Sequence, residues 1–198
     1  MHVEASNAAG RSRAVRALGL LLGLLPCLGC ENVPPYFQRS YVRLEGQALV
    51  EHLNADGDTA NGPYPGLGLT GGTLLEVEKT HASALEAEVQ LYDINSSDLD
   101  GYGFLYSTGW RRFWNMDGRY RPNFGVGGEW TDFHLDDHDR SFDPTGPGAY
   151  ADFGIDWMMT PIYAVGLRLR GHLRYEEADH DNGIKPAIEL ALHSAWRF

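Results

Sequence analysis

Cysteine and lysine are almost missing from this chain, and a long apolar run is missing altogether. In 198 residues cysteine occurs only as Cys27 and Cys30, and lysine only as Lys79 and Lys185. No apolar run reaches the ~18–20 residues that a membrane-spanning helix needs, so any passage through a bilayer has to be made by strands. Both cysteines lie within the first 30 residues, so no disulfide can staple the remainder of the chain. A positive surplus is also lacking, the net charge being −11. A nucleic-acid partner is therefore not expected, because phosphates demand a basic face. Adhesion to anionic lipid by overall charge is excluded on the same ground. No motif for a cofactor or a resident metal is present.

What the chain does have is glycine, 24 residues, and aromatics at 12%. Both suit twisted, curved sheets and the aromatic girdles of membrane barrels, and they also suit soluble β-sandwiches. The start reads as an export signal over residues 1–29. Arg11, Arg13 and Arg16 form a basic n-region, Ala17–Leu28 an apolar core, and Cys27 and Gly29 are small residues before a cut at Cys30. Cys-Leu-Gly-Cys resembles a lipoprotein processing site, which makes Cys30 a candidate for lipidation. Residues 30–40 read as a linker and 41–198 as the mature domain. Loss of the leader removes three arginines and Glu4 and leaves the domain more acidic still.

Eight segments with period-two alternation make up the mature domain, near 41–53, 66–79, 84–94, 103–114, 123–134, 149–160, 163–177 and 187–198. The connections Asn54–Pro65, Asn95–Tyr102, Leu135–Gly148 and Ala178–Pro186 are long, polar and rich in Asp, Gly and Pro. Those between them, at Thr80–Ser83, Asn115–Pro122 and Pro161–Ile162, are mostly tighter. Alternating long and short connections define an all-β, up-and-down antiparallel transmembrane β-barrel of eight strands, with long extracellular loops and short periplasmic turns.

Two stretches carry a family likeness. In the last segment Leu190, Leu192, Ser194, Trp196 and Phe198 share one face, and Phe198 is aromatic and terminal. Residues 109–130 include Arg121, Pro122, Phe124, Gly125 and Gly127, an Arg-Pro-aromatic-Gly-x-Gly element after a turn. From Tyr41 to Phe198 the chain resembles the small eight-stranded outer-membrane β-barrel superfamily. That resemblance implies an integral protein of the bacterial outer membrane, exported through the periplasm. It also implies that Leu190, Leu192, Trp196 and Phe198 are read by the barrel-insertion machinery. Outer-membrane lipid and lipopolysaccharide are the partners to expect.

Alternation then sorts the charges. Arg43, Glu45, Glu51, Glu76, Glu78, Glu86, Glu88, Arg111, Glu129, Asp152, Asp156, Arg168, Arg170, His172, Arg174, Glu189 and Arg197 share one set of faces. Val42, Leu44, Leu75, Val77, Leu85, Val89, Leu91, Phe104, Tyr106, Phe124, Val126, Phe153, Ile155 and Trp157 share the other. A basic residue facing lipid at mid-depth costs about 2–4 kcal/mol, so in a membrane barrel the charged set looks inward. An eight-stranded lumen is only wide enough to be filled by side chains, and opposite charges packed there should pair. The primary expectation is a salt-bridged plug; a narrow ion path or ligand-binding lumen is the alternative. Tyr41, Trp114, Trp130, Tyr150, Tyr163, Tyr175 and Trp196 lie near segment ends and are expected in interfacial girdles.

Three further possibilities bear on function. Some relatives of this superfamily deacylate lipid A with a His and a Ser on one barrel face. Here His193 and Ser194 are adjacent and point to opposite faces, and His172 is followed by Leu173 and Arg174, so no such pair forms. Asp56 and Asp58, Asp136–Asp139 with His138, and Asp179, His180 and Asp181 form acidic loop clusters that could attract divalent cations. A soluble lipocalin-like lipoprotein would reverse the polarity, with leucines inside and charges in water. The leading expectation is a non-enzymatic outer-membrane barrel serving envelope structure or surface interaction.

Overall fold

Period-two segments bounded by Gly, Asp and Pro turns become long antiparallel strands, as alternation dictates. The computed structural model describes residues 39–55, 58–95, 100–136, 141–176 and 183–198. In chain order the strands are β1 (Ser40–Val50), β2 (His52–Ala55), β3 (Asp58–Asn61), β4 (Tyr64–Val77), β5 (His81–Asn95) and β6 (Asp100–Trp114). They continue as β7 (Tyr120–Asp136), β8 (Ser141–Phe142), β9 (Thr145–Met158), β10 (Tyr163–Glu176) and β11 (Gly183–Arg197). Among the described residues there is no helix.

Each long strand pairs with its sequence neighbours, in the order β6-β5-β4-β1-β11-β10-β9-β7, and β6 pairs with β7 to close the ring. This is an eight-stranded up-and-down barrel. The seam between first and last strands runs from Tyr41 opposite Arg197 to Val50 opposite Ile188. Ser40 and Phe198 finish it with reciprocal backbone bonds of 3.2 and 2.9 Å. Short β2 and β3 form a two-stranded ribbon, and β8 adds one short pairing to β7.

Strands run into all four long connections further than alternation alone indicates, β2 and β3 pairing within the first and β7 reaching Asp136 opposite β8 in the third. β5 and β6 stay paired out to Asn95 and Asp100, and β10 and β11 out to Glu176 and Gly183. Polar and glycine residues there lack an apolar row but still form ladder bonds. On the opposite end the turns are tight, as where the Glu78 amide donates to the His81 carbonyl at 2.8 Å. That end also carries the seam residues Ser40 and Phe198 and is the periplasmic one by loop length.

Polarity across the wall is inverted relative to a soluble protein. Leu69, Leu75, Leu85, Phe153, Leu169, Leu173, Ile188, Leu190 and Leu192 are exposed on the outer face, while five arginines, Arg43, Arg111, Arg168, Arg170 and Arg174, are among the most completely buried side chains. A lipocalin-like soluble barrel requires the reverse arrangement and is excluded. Only a hydrocarbon surround makes this outer face stable.

A charge-filled lumen as the candidate functional site

Glycine makes room for the lumen contents. Along β7 the inward positions run Asn123, Gly125, Gly127, Glu129, Thr131, Phe133 and Leu135, interleaving small and large side chains. A Cβ on Gly127 would lie 2.6 Å from the Tyr150 ring, and one on Gly125 2.9 Å from the Arg111 guanidinium. Large side chains from the facing wall thus lie directly over bare backbone.

Arg111 on β6 organises the lower half. Its Nε donates to both carboxylate oxygens of Glu86 at 2.8 Å, and Nη1 and Nη2 donate to Asp152 at 2.7 and 2.9 Å. Nη1 also donates to Asn123 Oδ1 at 2.7 Å. Glu86 accepts further from Arg43 Nη2 at 2.8 Å and from the Tyr41 hydroxyl. Below, Asp156 is held by Asn123 Nδ2 and His193 Nε2, each at 3.0 Å.

Arg168 and Arg170 on β10 organise the upper half. Arg168 Nη2 lies 2.7 Å from Glu45, 2.8 Å from Glu88 and 2.9 Å from Glu189. Arg170 Nη2 donates to Glu88 at 2.5 Å, and its guanidinium stands 4.1 Å from the centre of the Tyr150 ring. Glu189 accepts from Tyr92 at 2.6 Å and from Gln90 at 3.0 Å. Higher still, His172 meets Glu129 at 2.9 Å, and Arg174 pairs with Glu51. Each lumen arginine faces two or more acceptors or an aromatic ring, as burial of charge requires.

Apolar clusters close both ends. Leu49, Tyr64, Tyr92, Ile94, Leu105, Phe133, Leu135 and Ala187 pack at the extracellular end. Tyr41, Leu74, Ala82, Ala84, Phe113 and Met116 pack at the periplasmic end. Arg111, Arg170 and Glu189 between them have 0% exposure, so no water-wide passage touches these groups.

The expected inward set comes together here with two corrections. Glu76 and Glu78 are exposed on the outside, because β4 carries a bulge between Leu74 and Glu76. The extra residue, Leu75, shifts the rest of the strand by one, so Glu76 falls opposite outward Ser83 and lies 3.4 Å from Arg112. Arg197 faces inward but is only half-buried at the periplasmic mouth, 5.9 Å from the Phe113 ring centre. Among the girdle residues, Tyr41 and Tyr150 are lumen residues, 3% and 5% exposed. Each has the parity of its charged neighbour, Arg43 or Asp152, and proximity to a strand end does not override parity. Trp114, Trp130, Tyr163, Tyr175 and Trp196 lie on the outer face.

Neutral polar partners Gln90, Asn123, Thr70, Ser107 and His193 were not singled out by charge. Parity with Glu88, Arg111, Glu129 and Glu189 reveals Gln90, Ser107, Asn123 and His193, whereas Thr70 has no inward charge on its own strand to mark it. His193 is inside on Asp156, whereas Ser194 is outside, 3.3 Å from the Tyr163 hydroxyl. At the β4–β5 turn, ligand atoms of Glu76, Glu78 and His81 lie within 4.8 Å of one another. Arg112 and the Thr80 hydroxyl, 3.0 Å from His81 Nδ1, compete for these atoms. The leader with Cys30, and Asp56, Asp137, His138, Asp139, Asp179, His180 and Asp181, lie outside the described residues, as does the Asp58 side chain.

A closed eight-stranded ring with charges inside and leucines outside is an integral β-barrel of the bacterial outer-membrane type. Solved structures share this fold. Neisserial surface protein A superposes with a TM-score of 0.64 at 12% identity, over 80% of this chain and 97% of that one. Ail, the attachment invasion locus protein of Yersinia pestis, gives 0.56 at 10% identity, over 82% of this chain and 100% of that one. The outer membrane protein OprG from Pseudomonas aeruginosa gives 0.55 at 13% identity, over 81% and 96%. No protein-family model matches the sequence, and no curated protein matches it.

Proposed function

We propose that this protein is a non-catalytic, non-conducting outer-membrane barrel that contributes to envelope structure or surface interaction. The observation carrying this reading is the filled lumen: paired charges at mid-height, none more than 6% exposed, between two apolar plugs. The extracellular end supports a surface role, since Asp93, Asp100, Asp132, Asp136 and Asp143 are exposed there. Such an acidic rim would meet lipopolysaccharide phosphates through divalent cations, which hard oxygen ligands favour. The resemblance to Neisserial surface protein A and Ail is in keeping with a surface protein.

Purified barrel reconstituted in planar bilayers tests the reading. No single-channel steps are expected in either polarity of the applied voltage. Regular steps from the folded, heat-shiftable species would establish a pore instead. Assembly is tested separately. Replacing Phe198 with Ala should leave refolding in detergent intact, because its ladder bonds to Ser40 are backbone bonds. The same change should lower the amount inserted in cells several-fold if Phe198 is read by the insertion machinery; equal insertion would remove that role.

A further inference from the structure

The outer wall is not evenly padded. A groove of about 630 Å³ opens on it, between outward side chains of Leu44, Leu67, Trp157, Val165 and Leu192. Its floor is Gly46, where an added Cβ would meet nothing within 4 Å. At the periplasmic lip Tyr120 stacks on Trp157, ring centres 6.0 Å apart. The Arg119 guanidinium stands 5.0 Å from the Trp157 ring centre, and Arg119 is exposed. An apolar trough thus ends in one cation held on an interfacial tryptophan, at the depth where lipid headgroups lie.

We propose that this groove is a binding site for a periplasmic-leaflet phospholipid, with an acyl chain over Gly46 and the phosphate on Arg119. The chemistry is complementary end to end, since the trough is apolar and its lip carries a guanidinium. A net charge of −11 gives the protein no general attraction for anionic lipid, so selectivity at this groove is assigned to Arg119 at its lip. A second copy of the chain fits less well, because groove against groove would leave two facing concavities unfilled.

Native mass spectrometry in a neutral detergent tests this, with dioleoyl phosphatidylglycerol and dioleoylglycerol as probes and a heat-dependent gel shift as the folding check. The wild-type barrel should retain one phosphatidylglycerol and about tenfold less of the phosphate-free diacylglycerol. Gly46→Phe should fill the floor and lower retention of both at least tenfold. Arg119→Gln should erase the preference between them. Gly128→Phe, outward on β7 and away from the groove, should behave as wild type. The proposal is overturned if Gly46→Phe retains lipid like wild type, or if diacylglycerol binds the wild type as well as phosphatidylglycerol. A lipid-free dimer dissociated by Gly46→Phe would also overturn it and assign the groove to a second copy.

Discussion

Arg111 touches Glu86, Asp152 and Asn123 at once, so its loss leaves Glu86 to Arg43 and Tyr41 and Asp152 to Arg170 alone, with one positive charge fewer between two buried carboxylates. Arg111→Met should destabilise the barrel by about 3–5 kcal/mol, the cost of breaking a buried pair from one side. Urea unfolding in lipid vesicles measures it; a loss under about 1 kcal/mol would mean that water or neighbouring groups take over. Gly127 is sensitive for a different reason. Tyr150 lies against it, and a Cβ would also meet the Thr108 carbonyl at 2.2 Å. Gly127→Val should cost about 1–3 kcal/mol through overpacking, and Tyr150→Ala in the same chain should restore part of it. Parity made most of these residues legible. Arg111, Glu86 and Asp152 all occupy the charged face of an alternating segment, and so do Tyr41 and Tyr150, which were drawn outward only by nearness to strand ends. Which carboxylate pairs with which arginine was not legible, because pairing across the lumen depends on the barrel's stagger, and alternation along one strand does not encode it.

At the scale of a strand, β4 explains the other departure. Alternation holds from Tyr64 to Leu74 and then fails, because Leu75 is an unpaired insertion opposite β5. Nothing in Leu-Leu-Glu-Val-Glu marks a bulge, since an alternating reading simply continues through it to Glu76 and Glu78. The register makes this testable. Deleting Leu75 keeps Glu76 opposite Ser83, so a folded, heat-shiftable barrel is expected. Deleting Val89 from the regular part of β5 flips one half of that strand and pushes charges to the lipid side, so no folded species is expected. If both deletions fold equally well, register is not what places these charges. The eight long strands were legible because outward apolar rows and inward charged rows alternate strictly in β10 and β11. The ladder beyond those rows, out to Asn95 and Asp100, was not, because main-chain pairing there has no apolar counterpart in the side chains.

For the whole molecule, the lumen is closed three times over, by an apolar cluster at each end and by charge pairs between. Removing one closure should therefore not open a path. Phe113→Ala with Phe133→Ala should leave planar bilayers silent, because Arg111, Arg168 and Arg170 still fill mid-height. Conductance from that double variant would show that the apolar clusters alone are the barrier. Exposed aspartates gather toward the outside, whereas the periplasmic rim mixes Arg39, Lys79 and Arg119 with Glu76, Glu78 and Asp117.

The seam between β1 and β11 has a consequence for how the molecule can be cut and rejoined. Ser40 and Phe198 exchange backbone bonds, so the barrel is a ring of eight staves with a single nick. Until that nick is sealed, two bare edges are available to any other strand that arrives, and afterwards there is none. A chain spliced across the nick and opened instead between Asn95 and Asp100 should form the same ring, with its vulnerable edges moved to β5 and β6.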